Sequence, residues 1–531
     1  MEKRIIKELK NGETCLGIEF GSTRIKAILI DSTNIPIASG DFSWSNSLVD
    51  GIWTYTQKEI KTGLQECYLS LKKDVFKKFN VNLTSFKAIG ISGMMHGIIA
   101  VDKENKLLTP FRTWRNNITR DESEFLSGKF GFPVAQRWTI THLYKFVLDN
   151  EAFLPKLDYI STLSGYVHRL LTGKKSIGIN DASGMFPIDV KTGNYYSDKI
   201  KIFNSLIAHK KYKWHLEDIL PKVLKCGESA GKLTKEGSLL LDPSGDLTPG
   251  IMLCPPEGDA GTGMVSTNSV KPRTGNVSAG TSVFSMIVLE KELKENSTKL
   301  DLVTTPDGNL VAMAHSNNCT GEYDQWISLF NEVIEATGNK ISKGELYDCL
   351  LTKALQGEPD CGGLLAYGYI SGEHQTGFSE GRPLVTRKPE SLFNLPNFMR
   401  TQMYTSLCAM RIGLDYLFEN EKVTLDCLTG QGGFFKTEKV GQTIMAIATH
   451  TPVKILQSAG EGGAWGIAIL ASFTVNSKDK NLPTFLDTEV FNQTSESIIT
   501  PKQEDIIGFN KFLERYKKGL EIEREAIKSL L

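Results

Sequence analysis

Two short segments of the chain follow one plan, almost half the protein apart. Leu16–Ile30 reads LGIEFGSTRIKAILI, and Asn276–Leu289 reads NVSAGTSVFSMIVL. Each runs from an apolar strand into a turn of one glycine and two hydroxyl residues, then into a second β-rich strand. The turns are Gly21-Ser22-Thr23 and Gly280-Thr281-Ser282. Glycine lets a tight turn bring backbone N–H groups close to a ligand, and Ser or Thr adds hydroxyl donors. One such hairpin says little. Two of them in register predict a duplicated domain that closes on a polyphosphate from both sides.

The length suits that plan. At 531 residues the chain is too long for one hydrophobic core. The boundaries expected from the repeat are 1–264 for an N-terminal domain, 265–475 for a C-terminal domain and 476–531 for a helical extension. Lys+Arg and Asp+Glu both number 61, which argues against a broad nucleic-acid or anionic-membrane surface. The opening MEKRIIKELKNGETC carries no signal-peptide pattern, and no later stretch could span a bilayer. The 9 cysteines include no C-x-x-C pair. Reduced, mostly buried thiols in a cytoplasmic protein are therefore expected, not a disulfide framework.

Strand and helix signals alternate along the first half. LGIEFG, IKAILID and PIASGDFSW read as three strands, and an amphipathic helix is expected around Thr56–Phe79. Phe86–Ser92 reads as a buried strand ending in the loop Gly93-Met94-Met95-His96-Gly97, where an α/β sheet usually opens its ligand crevice. Leu143–Gly173 reads as helical, and Glu257–Gly263 as a glycine-rich loop. The second half repeats the scheme, with helices expected around Asp324–Thr337, Ser342–Ala354 and Asn394–Phe418. A strand at Thr424–Thr429 leads into Gly430-Gln431-Gly432-Gly433. The segment from Glu461 to Gly466 opens an apolar helix, and a charged helix covers Gln503–Leu531. No GxxxxGK(S/T) pattern occurs, so a P-loop nucleotide site is not expected.

In order and spacing, these motifs resemble the FGGY carbohydrate kinases of the actin-like ATPase superfamily. The resemblance runs from about Cys15 to Ala471. It implies an α/β protein of two ribonuclease H-like domains flanking a deep cleft. The family's first hairpin carries Asp before its glycine, and here Glu19 stands there, which keeps the charge on a longer arm. Lys26 falls where the family often has a cation facing the phosphates. Ile91–Gly97 is similar to the ISGQMHG loop of xylulokinases, with Met94 in place of Gln. Trp114-Arg115-Asn116-Asn117 lies where those enzymes have a WNDxR-like sugar loop. Gly258-Asp259-Ala260 resembles the family's catalytic loop, Gly280-Thr281-Ser282 its second phosphate turn, and Gly430–Gly433 its adenosine loop, which implies nucleotide contacts at Gly432 and Gly433.

Each site has an ordinary structural reading beside the functional one. A lone Asp in a glycine-rich loop is usually a turn former. Asp259 comes directly before the second hairpin, and a sugar hydroxyl needs a carboxylate to accept its proton, so Asp259 is the expected general base. Glu19 could be a surface charge at a strand end. With hard carboxylate oxygens it is read, together with Asp259, as a site for Mg²⁺ or its bound water. An isolated His is more often a core residue. Within its glycine-flanked loop, His96 is expected to meet a sugar hydroxyl, with Met95 as an apolar wall. Trp114 could be core, or an aromatic platform for a sugar ring. Arg115 and Asn116 could be solvated loop residues, and the resemblance places them at the sugar.

The sequence therefore predicts an ATP- and Mg²⁺-dependent kinase acting on a small sugar. The resemblance implies a ketopentose, D-xylulose or L-ribulose. Alternatives are another small sugar or polyol, or an actin-like ATPase without sugar chemistry. A chaperone of that superfamily would need a peptide-binding domain, and the residues after Ala471 are few and polar. A homodimer is one of the assemblies the resemblance allows.

Overall fold

A computed structural model describes residues 2–294, 297, 299–456, 462–492 and 496–530. Glu461 and Leu531, expected at the start and end of two helices, lie outside the described residues. The chain divides into two compact units. The first comprises Met1–Val270, Asp301–Val311 and Glu461–Thr494; the second comprises Lys271–Leu300, Ala312–Gly460 and Ser495–Leu531. Both are α/β.

The first unit is built on a seven-stranded mixed sheet. Its centre is the strand Cys15–Phe20, antiparallel to Arg24–Ile30 on one side and parallel to Ala88–Gly93 on the other. Pro36–Ser43 extends one flank, and Met252–Leu253 with Gly231–Lys232 the other. The two-residue strand Glu257–Gly258 runs parallel to the end of Ala88–Gly93, pairing Glu257 with Ser92. Every residue of Cys15–Phe20 except Glu19 is buried, as expected of a strand covered on both faces.

One cover is the helix Gly462–Asn476, whose residues Gly463–Phe473 are all buried. A helix apolar on every side belongs inside a protein. Its approach depends on Gly17, where a Cβ would stand 2.2 Å from the Ala464 carbonyl oxygen. The other cover includes the helix Gln57–Phe79. Thr56 caps it, with a reciprocal bond from the N-cap amide to Glu59, and Asn80 ends it at φ 54°. Such a cap contributes about 1 kcal/mol.

The second unit repeats this plan. Thr274–Ala279 is antiparallel to Val283–Val288 and parallel to Cys427–Gln431. Cys427–Gln431 continues parallel to Val453–Leu456, which pairs antiparallel with Glu496–Ile499. The helix Leu395–Asp415 packs on Val283–Val288, and the helices Gly321–Ala336, Lys343–Ala354 and Gln503–Ser529 pack against that helix.

Two segments differ from expectation. Leu143–Gly173 is not one helical stretch: helices Thr139–Leu148 and Leu163–Thr172 are separated by the strand Tyr159–Ser161, which pairs with Ile99–Val101. Asn150 adopts φ 55° and breaks the first helix. The glycine-rich run after Gly258 is also not a loop: Asp259–Ser266 is a helix. Tertiary packing overrides its weak propensity, because Gly261 lies against Asn180 where a Cβ would come within 2.4 Å of the amide. All nine cysteines are free, and only Cys349 is exposed. Among the described residues no helix is long and apolar enough to cross a membrane.

Candidate active site

The chemistry of the first unit gathers where three strands end together. Glu19 and Glu257 both pair with Ser92, and the chain turns into the Asp259 helix one residue after Gly258. Asp259 is the first residue of that helix, where backbone N–H groups and the helix dipole favour a carboxylate. Its Oδ1 accepts the Ala260 N–H at 2.9 Å and the Met95 N–H at 3.2 Å. Water reaches this carboxylate, yet protein crowds around it and pushes its pKa up to about 6, against the pull of those amides.

Glu19 is half-buried beside it. Crowding by protein, and then the charge of Asp259, push the Glu19 carboxyl up to about 7; the Ala464 amide and Lys26 oppose the shift. Lys26 stands opposite Glu19 in the hairpin register. Glu19 Oε2 accepts the Ala464 N–H at 3.2 Å. A Cβ on Gly463 would lie 2.2 Å from Glu19 Oε1 and 2.7 Å from Thr262 Oγ1. Gly463, at the opening of the apolar helix, therefore makes room for this carboxylate.

The first hydroxyl turn is held from behind by aromatic donors. Trp44 Nε1 donates to the Gly21 carbonyl at 2.7 Å, and Tyr55 Oη to the Ser22 carbonyl at 2.5 Å. Trp114 Nε1 donates to Ser22 Oγ at 3.2 Å, so Trp114 and this turn are joined. Thr23 is exposed. Arg115 lies over the Trp53 ring at 3.8 Å and donates to Asn46 Oδ1 at 3.0 Å. Asn116 is buried and spends its amide inside the loop: Oδ1 accepts the Trp53 N–H at 2.9 Å, and Nδ2 donates to the Trp53 carbonyl at 2.8 Å. Its part is to hold the Trp114–Arg115 loop against Trp53.

Met94 N–H donates to the Phe20 carbonyl at 3.0 Å, which fixes the Met95–His96 loop beside the turn. His96 adopts φ 70°, is buried, and engages the Gly184 carbonyl through Nδ1 at 3.3 Å. Burial, and then Arg137, lower its pKa to about 3, so the ring is neutral.

The second unit has the same anatomy in a different dress. The carbonyls of Gly280 and Thr281 accept the N–H groups of Thr320 at 3.0 Å and Cys319 at 2.9 Å, and Thr281 and Ser282 carry the hydroxyls. Gly432 follows the parallel strand as Met94 does in the first unit. At φ 100° its missing Cβ would lie 2.4 Å from the Ala279 carbonyl oxygen, so only glycine fits. Gly432 and Gly433 are exposed beside the turn. A small pocket nearby is lined by Ser316, Glu322, Gly368, Gln402 and Ser406. Gln402 Nε2 is buried there without a partner among the described residues.

Sequence reasoning missed Gly463, the Ala464 amide, Asn180 and the side chain of Glu257. Only the glycine left a trace; the others are ordinary residues until the fold assembles them.

Residues 14–241 match the N-terminal domain, and residues 275–475 the C-terminal domain, of the FGGY family of carbohydrate kinases. The xylulose kinase of Haemophilus influenzae is 22% identical over 515 residues, covering 94% of this chain and 98% of that protein. The crystal structure of xylulose kinase from Rhodospirillum rubrum matches with a TM-score of 0.76 at 17% identity, covering 96% of this chain and 99% of that one. That of Plasmodium falciparum glycerol kinase with ADP gives a TM-score of 0.76 at 17% identity, covering 96% and 98%. The structural likenesses speak for the fold, and the two domain matches for the kind of enzyme. With both domains present in order along one chain, the protein belongs to the FGGY family of carbohydrate kinases and is a sugar phosphotransferase.

Proposed function

We propose that the protein transfers the γ-phosphoryl of Mg·ATP to a hydroxyl of a ketopentose, D-xylulose or L-ribulose, with Asp259 as general base. The observation that carries this reading is Asp259 itself: a water-accessible carboxylate at a helix N-terminus, aligned by the Met95 amide and raised to about 6. A base tuned toward neutrality accepts a hydroxyl proton more readily than an ordinary Asp. FGGY kinases use ATP. The Gly280-Thr281-Ser282 turn with Gly432 and Gly433 takes the nucleotide, and Gly21, Ser22, Thr23 and Lys26 meet its phosphates. Met95, His96, Trp114 and Arg115 meet the acceptor, in a loop that Asn116 braces.

Glu19 and Asp259 fit a magnesium site. Each carboxylate stands near the other, and the Asp259 charge raises the Glu19 carboxyl, a penalty that an adjacent divalent cation reverses. Among the described residues no group of three or more His, Cys, Asp or Glu side chains gathers for a metal. Two carboxylates with water and phosphate oxygens suit Mg²⁺, which prefers oxygen ligands and keeps several waters. When bound, the ion neutralises charge on the phosphate oxygens.

The kinship to xylulose kinases supports the pentulose. The test is ADP formation from ATP with D-xylulose, L-xylulose, D-ribulose, L-ribulose, glycerol and fructose in turn. The highest kcat/KM is expected on D-xylulose or L-ribulose. A best acceptor among glycerol and fructose removes the pentulose assignment and leaves the kinase standing.

A further inference from the structure

We infer that Glu257 and Asn180 are positioning residues that clamp the segment Gly178–Gly184 and thereby set Asp259 against His96. The inference rests on the roles proposed above for Asp259 and His96.

The segment touches both. Asn180 Oδ1 accepts the Gly261 N–H at 3.1 Å, in the first turn of the Asp259 helix. Asn180 also fills the space beneath that turn: a Cβ on Gly258 would stand 3.0 Å from its Oδ1, and a Cβ on Gly261 2.4 Å. Its Nδ2 is bonded to the Thr304 carbonyl at 2.5 Å, so the amide is oriented and does not rotate freely. At the other end of the segment, the Gly184 carbonyl meets His96 Nδ1 at 3.3 Å. A Cβ on Gly184 would lie 2.7 Å from that nitrogen and 2.9 Å from Met95 Cε.

Glu257 locks the segment at its start. The residue is fully buried, and its carboxyl occupies the place a side chain at Gly178 would need: a Cβ there would be 2.1 Å from Cδ and 2.2 and 2.4 Å from the two oxygens. Oε2 accepts the Asp181 N–H at 3.2 Å, and Gly178 N–H donates to the Pro256 carbonyl at 2.7 Å. Oε1 has no partner among the described residues. A buried carboxyl with an unpartnered oxygen is costly. An apolar residue would serve a purely structural core at that position more cheaply. Two residues before the proposed base, Glu257 adds an acceptor for the amides of Asn180 and Asp181 in the opening turn of Ile179–Ser183.

The clamp is tested on the full-length protein with ATP and D-xylulose, or the acceptor the screen selects. Glu257→Ala is expected to lower kcat by about tenfold or more and to raise the acceptor KM, because small misplacements of reacting groups are expensive. The ATP KM should stay within about twofold. Glu257→Gln keeps the acceptor oxygen and should recover most of the loss. Asn180→Ala should show the same split, and it carries the test alone if Glu257→Ala does not fold. Unchanged kcat and acceptor KM in the alanine variants overturn the clamp, as does a Gln variant as impaired as Ala, or an ATP KM that rises in step. Asp259→Asn, run alongside, separates the two readings. Full activity in that variant removes the proposed base, whereas an inactive Asp259→Asn beside an unimpaired Glu257→Ala removes only the clamp.

Discussion

Glu19 Oε2 accepts the backbone N–H of Ala464 at 3.2 Å, across 445 positions of sequence. The carboxylate therefore stands at the N-terminal end of a 15-residue helix, whose dipole favours negative charge there. Gly463, between them, has no side chain to intervene. This arrangement holds Glu19 in place by backbone, independent of any ligand, while burial and Asp259 keep its proton affinity high.

Gly463→Ala should therefore act on Glu19 first. The added methyl would stand 2.2 Å from Oε1, so the carboxylate must swing aside. The Mg²⁺ concentration for half-maximal activity is expected to rise several-fold, with a stability loss of about 1–3 kcal/mol from overpacking. A magnesium titration of kcat beside a urea melt checks both, and an unaltered magnesium requirement removes Glu19 from the metal site.

Asp259→Asn keeps the shape of the side chain and its amide contacts while removing its basicity. Folding and ATP binding should survive, and kcat should drop by about 10²–10⁴-fold. Near-normal phosphorylation by this variant would take Asp259 out of the mechanism.

Thr281→Val deletes a hydroxyl and preserves β-branching on the exposed second turn. Nucleotide affinity or turnover should weaken, and acceptor binding measured without ATP should not. Loss confined to acceptor affinity would reassign the turn.

His96→Ala should raise the acceptor KM by the equivalent of about 1–3 kcal/mol and leave the ATP KM alone. Steady-state kinetics with each substrate varied in turn decides it; a nucleotide-only defect contradicts the assignment.

His142 gives a pH-dependent prediction away from the site. It is fully buried, neither ring nitrogen has a partner among the described residues, and burial, then Arg112, lower its pKa to about 3. Its folded pKa lies below its unfolded value near 6.5, so folding is unpenalised above that value and loses stability as pH falls from there toward 3. His142→Leu removes that loss. Relative to wild type, the variant should gain about 2 kcal/mol between pH 7 and pH 5. Urea unfolding of both proteins at the two pH values measures the difference, and a constant gap would show that His142 titrates normally.

Much of this protein is determined by local sequence. The two hairpins, the hydroxyl turns, the Thr56–Phe79 helix and the glycine-flanked Met95–His96 loop are all written in runs of adjacent residues. Their strand periodicity, caps and glycines act within a few positions, so they are legible without a fold. Asp259 was legible for the same reason, although its helix was not, since burial of Gly261 against Asn180 overrides poor propensity. What only the tertiary structure decided depends on residues distant in sequence. The Glu19–Ala464 bond, the seat of Glu257 on Gly178 and the bracing of Asn116 by the Trp53 backbone each join segments whose sequences carry no mark of the other. Asn116 illustrates the physical reason. An amide beside Trp114 and Arg115 looks available to a ligand, and only packing shows that its donors and acceptor are already spent. Sequence names the groups able to do chemistry, whereas the long-range contacts settle which are held ready for it and which hold the others.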